Sequence, residues 1–135
     1  MQVKKITHRT LQKLIQKIAD KAGYDILDNR RLVFNRNPSL YYQPDLTLLK
    51  KSSLIVVEVE LTTDSRKSLT GDIVRAGLSG AKTFIGIVKD SKTANAIEKY
   101  GEVLTDRICE MSELKTYGLA VNDREFVDKL KLMLK

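Results

Sequence analysis

One run of eight residues, Leu54-Ile55-Val56-Val57-Glu58-Val59-Glu60-Leu61, limits the fold more than any other part of this chain. It is rich in β-branched residues, which suit a pleated strand, and its side chains alternate between the two faces of a sheet. Ile55, Val57, Val59 and Leu61 share one face and supply core. Glu58 and Glu60 share the other. Asp45–Leu49 lies four residues upstream, across Lys50-Lys51-Ser52-Ser53, so the two runs are expected to pair as a hairpin.

Around that hairpin the pattern changes period. Thr7–Ala22 places Leu11, Leu14, Ile15, Ile18 and Ala22 at helical spacing, with Gly23 as the stop. Tyr24–Leu27 and Leu32–Phe34 read as two strands joined by a tight turn at Asp28-Asn29-Arg30-Arg31, and Asn35–Gln43 reads as a loop. Ser65–Gly80 is expected to be helical, with Leu69, Ile73, Ala76, Gly77 and Gly80 on one face. Thr83–Val88 reads as a strand, Ala94–Tyr100 as a helix and Arg107–Met111 as a late strand. A closing helix starts at a capping box of Asn122 and Glu125 and buries Phe126, Val127, Leu130, Met133 and Leu134. The expectation is one α/β (α+β) domain over residues 1–135, with a central mixed sheet flanked by helices. The passage from Leu54 to Val88 is the crossover that makes part of the sheet parallel.

Composition narrows the function classes. No apolar stretch is long enough to span a membrane, and MQVKKITHRT lacks the apolar run of a signal peptide. The single Cys109 excludes a disulfide framework and a cysteine zinc site, and suits a reducing cytoplasm. The net charge of +7 is unevenly spread, because residues 1–43 carry nine basic and three acidic side chains while residues 91–135 are balanced. The excess lies in Lys4, Lys5, Arg9, Lys13, Lys17, Lys21, Arg30, Arg31 and Arg36. Such a localised field suits a polyanion, bound with counterion release, and points to nucleic acid; the plainer reading is a solubilising face.

Three carboxylates stand out against this background. If the hairpin forms, Asp45, which follows Pro44, lies beside Glu58 and Glu60. Three converging carboxylates repel one another unless a cation neutralises them, and all-oxygen ligands suit Mg2+ or Mn2+. The plainer reading is a half-exposed strand whose two glutamates face water.

The segment YYQPDLTLLKKSSLIVVEVE resembles the PD-(D/E)xK nuclease superfamily, which includes restriction endonucleases, Holliday-junction resolvases and transposon end-cleaving subunits. The match rests on Pro44-Asp45 followed thirteen residues later by Glu58-Val59-Glu60, in a context spanning roughly residues 7–88. The resemblance implies a restriction-endonuclease-like αβββαβ core and a Mg2+- or Mn2+-dependent endonuclease acting on DNA as a homodimer. It also implies that Asp45, Glu58 and the Val59 carbonyl ligate the metal. The family's lysine is replaced here by Glu60, an E-x-E variant that some restriction endonucleases resemble; Glu60 then becomes a general base or a further metal contact. A lysine that has migrated to the following helix would be Lys67, with Arg75 as the other cation there. Many relatives place a Glu on the first helix, where this chain has Gln12, Gln16 and Asp20.

The remaining signals are weaker. His8 reads as a helix-end or surface residue with some capacity for phosphate contact or proton transfer. Tyr41 and Tyr42 read as packing residues, with base stacking the alternative. No phosphate-binding glycine loop and no catalytic triad is present in the sequence. Two other functions fit the same residues: a non-catalytic nucleic-acid-binding module of the same fold, or a small interaction protein that presents Ala76, Gly77 and Gly80 and its closing helix to a partner.

Overall fold

The computed structural model describes residues 7–27, 30–62 and 66–135. Its element order is α1 (His8–Lys21), β1 (Asp25–Leu27), β2 (Leu32–Val33), β3 (Tyr41–Tyr42), β4 (Leu46–Lys50) and β5 (Ser53–Glu60), then α2 (Arg66–Leu78), β6 (Thr83–Val88), α3 (Ser91–Arg107), β7 (Lys115–Ala120) and α4 (Phe126–Met133). A short 3-10 turn, Cys109–Met111, lies between α3 and β7. The main sheet has the strand order β1-β4-β5-β6-β7. Its first three strands are antiparallel, and β5, β6 and β7 run parallel.

The β4–β5 hairpin forms as the sequence implies, with Leu46 opposite Val57 and Lys50 opposite Ser53. Lys51 takes positive φ in the turn. Both faces of the sheet are covered. Ile55, Val57, Val59, Leu46 and Leu48 pack with Leu11 and Ile15 of α1 and Leu130 of α4. On the opposite face Val56, Phe84 and Val88 pack with Leu69, Ile73 and Ala76 of α2 and Ile97 of α3. The parallel strands are added in one direction, so crossovers of one hand place both connecting helices on one face. This face also carries Glu58, which therefore sits under α2 and not in open water.

Four sequence expectations are corrected. Tyr24–Leu27 and Leu32–Phe34 do not form a hairpin: β1 pairs with β4, and β2 pairs with β3 in a separate ribbon drawn from the expected loop. Ile26 packs against the α1 side of the sheet and Leu32 against the α2 side. Part of the expected turn, Asp28-Asn29, lies outside the described residues. The third helix is longer than Ala94–Tyr100, because Asp90 caps it by accepting from the Thr93 N–H at 2.8 Å. The late strand is Lys115–Ala120, not Arg107–Met111; two apolar-poor residues, Thr116 and Gly118, obscure it. Those residues have a packing cause, since a Cβ on Gly118 would collide with the Ala94 carbonyl, and one on Gly101 with Thr116. Finally, α4 has no capping box. Its Glu125 makes no side-chain cap, and Asp123 instead accepts from the Glu125 N–H at 2.9 Å.

Candidate active site

The site lies where β4 and β5 begin to part. Regular pairing stops at Leu46–Val57, and Pro44 supplies no N–H to continue it. Carboxylates take over the next rungs. The Asp45 N–H donates to Glu58 Oε1 at 2.5 Å, and the Val59 N–H donates to Asp45 Oδ2 at 2.9 Å. Each acidic side chain thus holds the backbone of the other's strand, which fixes both at one point. Two residues of α1 reach the same point from above. His8 Nε2 lies 3.1 Å from Asp45 Oδ2, and Gln12 Nε2 donates to the Asp45 carbonyl at 3.3 Å. The N-terminus of α1 is set there by Thr7, whose hydroxyl accepts from the Thr10 N–H at 3.1 Å.

A third carboxylate comes from α2. Asp72 is buried and hydrogen-bonds Glu58. It also accepts from Arg75 Nη2 at 2.6 Å, and the Arg75 guanidinium stands 5.7 Å from the centre of the Tyr42 ring. The Tyr42 hydroxyl is buried beside Glu58 and Asp72, and burial followed by those two carboxylates drives its pKa upward. Glu58 is perturbed in the same direction. Burial first, and the bond to Asp72 second, push its carboxyl up to about 9, against the lowering pull of the Asp45 N–H. It is therefore an acid that holds its proton at neutral pH unless a cation offsets its charge.

The sequence-derived residues divide accordingly. Asp45 and Glu58 are brought together; Glu60 shares the Glu58 face but accepts from Thr62 Oγ1 at 2.9 Å. Among the described residues no three His, Cys, Asp or Glu side chains form a group able to hold a metal. Leu46 opens β4 and pairs with Val57, so Asp45 falls beside Glu58, while Glu60 lies two residues further along β5. Lys67 is exposed in the first turn of α2, and Arg75 is the cation that reaches the cluster. Arg9, Lys13, Lys17, Arg30, Arg31 and Arg36 are exposed, and Lys4 and Lys5 lie outside the described residues. Arg31 stacks over the exposed Tyr41 ring at 4.6 Å, while Arg36 pairs with Glu110 at 3.4 Å. Ala76 and Gly77, expected on a partner-binding face, are buried within the chain, and a Cβ on Gly77 would meet Met111.

Asp72 is the site residue that sequence reasoning missed. Its signal was present: it falls on the same helical stripe as Leu69, Ile73 and Ala76, where a carboxylate is out of place unless it has a partner.

Fold and site together define a mixed α/β domain with a carboxylate cluster at the diverging ends of its central hairpin. No family model matches the chain, and no curated protein matches it. One crystal structure, of a protein of unknown function, AF1548, is similar over 89% of this chain at 9% identity, with a TM-score of 0.49. The chain spans 65% of that protein's length.

Proposed function

We propose that this chain is a divalent-cation-dependent DNA endonuclease of the PD-(D/E)xK type. The observation that carries the reading is the reciprocal clamp of Asp45 and Glu58 through the Asp45 and Val59 N–H groups. It sets two hard oxygen donors and the Val59 backbone at one point. The main sheet with its helices also runs α1, three strands, α2, strand, in the order the resemblance implies.

The donor set fits Mg2+ or Mn2+. Mg2+ is ordinarily held by one or two carboxylates and keeps several waters, so Asp45 and Glu58 with the Val59 carbonyl suffice. A Glu58 carboxyl pushed up to about 9 is a charge that burial disfavours and a cation would offset. When bound, the ion supplies Lewis acidity toward phosphate and a more acidic water. The chain's own groups do the rest. His8 and Gln12 hold Asp45 in place from α1. Arg75, anchored by Asp72, keeps further N–H donors for phosphate oxygens. Glu60 stands in the lysine's place, to take a proton from the attacking water. The exposed Arg9, Lys13, Lys17, Arg30, Arg31 and Arg36 contact the DNA backbone, which positions the duplex without reading its sequence.

The decisive experiment is Asp45→Ala in a supercoiled-plasmid assay with Mg2+ or Mn2+ and with chelator. Loss of metal-dependent nicking with DNA binding retained is expected; unchanged nicking sinks the proposal. A second reading, a DNA-binding module without cleavage, is favoured by Glu60 in the lysine's place and by its bond to Thr62. It is the outcome if the parent protein binds duplex but never nicks it in either metal.

A further inference from the structure

At the other end of α1 lies a cleft remote from the Asp45–Glu58 clamp, sharing only Lys17 with the proposed DNA surface. His8 and Lys21 are thirteen residues apart, about 20 Å along a helix, and Asp45 and Lys50 are about 17 Å apart along a strand. The cleft runs between the C-terminal half of α1 and α4, and its volume is about 600 Å³. Five lysines line it: Lys17, Lys21, Lys50, Lys131 and Lys135. Among the described residues none of the five makes an ion pair, and no acidic side chain lines the cleft. The rest of the lining is apolar: Leu14, Ile18, Ala22 and Val127. One of the cations is held in place, because Lys50 Nζ donates to the Ala22 carbonyl at 2.8 Å and sits 5.2 Å from the centre of the Tyr24 ring.

The charge and the floor select different parts of one ligand. Uncompensated ammonium groups around one cavity repel each other, and only an anion relieves all of them together. Phosphates of a DNA backbone would satisfy the charge yet leave the apolar floor wet. A volume of this size suits a small molecule with a buried apolar body and a few polar anchors. We propose that the cleft is a binding site for a small amphipathic anion, its phosphate or carboxylate held by the lysines and its acyl or aryl body seated on Leu14, Ile18, Ala22 and Val127.

The probe is dodecyl phosphate below its micellar concentration, titrated calorimetrically into the whole chain beside inorganic phosphate, dodecyltrimethylammonium and a 20-base-pair duplex. Saturable binding of one dodecyl phosphate per chain is expected, at least tenfold tighter than inorganic phosphate, with no binding of the cationic analogue. Lys21→Glu with Lys131→Glu should weaken it tenfold or more, and Val127→Asp, at an exposed position, should do so independently. Thermal melts of both variants check that the fold is kept. Equal affinity for parent and variants, phosphate binding as tight as the amphiphile, or binding of many copies per chain overturns the proposal. Displacement of the probe by duplex at similar affinity also overturns it and assigns these lysines to the DNA surface.

Discussion

Glu58→Gln should stabilise the metal-free protein while removing the proposed metal-dependent cleavage. In the fold Glu58 keeps its proton up to about pH 9, whereas an ordinary glutamate loses it near 4.5. Between those values the native state binds one more proton than the unfolded chain, so stability falls as pH rises, by at most about 1.4 kcal/mol per pH unit. Below 4.5 both states are protonated and the penalty vanishes; above 9 both are ionised and it is complete. At pH 7 the penalty has a ceiling of about 3 kcal/mol. Glutamine avoids it: its oxygen still accepts the Asp45 N–H, its amide donates toward Asp72, and it never ionises. Urea titrations in chelator at pH 4, 6 and 8 are the assay, read as midpoints at constant m. The variant should match the parent at pH 4 and exceed it by about 1–3 kcal/mol at pH 8. Mg2+ should then narrow the gap by stabilising the parent alone. A variant that is no more stable at pH 8, or a gap that does not change with pH, refutes the account of Glu58 as a buried, uncompensated acid.

Other outcomes follow from the same structure. Gly118→Ala should cost about 1–3 kcal/mol, because the new methyl collides with the Ala94 carbonyl and lifts α3 from β7; a thermal melt within a degree of the parent would contradict that packing. Phe84→Ala, at a fully buried side chain of the α2–α3 face, should cost about 3–5 kcal/mol in chemical denaturation, or abolish folding. Lys82→Ala breaks an exposed 2.7 Å pair with Glu113 and should leave the melting temperature unchanged within error. Under the proposed function, Arg30→Ala with Arg31→Ala should lower the salt slope of DNA binding by about two, near one for each phosphate no longer neutralised. A parallel line in the log–log salt titration would remove both arginines from the interface.

Legibility in the sequence followed interaction range. Local signals carried α1, the β4–β5 hairpin, α2, β6 and α4, because period and turn residues act within a few positions. They failed for β7, where Gly118 answers to α3 and not to strand propensity, and for β3, which sat in an apparent loop. They also failed for the apparent hairpin of β1 and β2, since nothing local records that Ile26 and Leu32 belong to opposite faces of the sheet.

For the site, the sequence by itself determined that Glu58 and Glu60 share a face and that Asp45 is placed beside Glu58 across a short turn. It also determined that the positive charge is concentrated in the first third. Only the tertiary structure decided the rest. It put α2 over that face, changing Glu58 from a solvated carboxylate into an acid pushed up to about 9. It added Asp72 and Arg75 to the cluster, turned Glu60 toward Thr62, and gathered lysines from α1, β4 and the C-terminal end of the chain around one cleft. Alternation along a strand is a property of one residue and its neighbours. Desolvation and charge compensation depend on what other elements bring within a few ångströms, which no local pattern encodes.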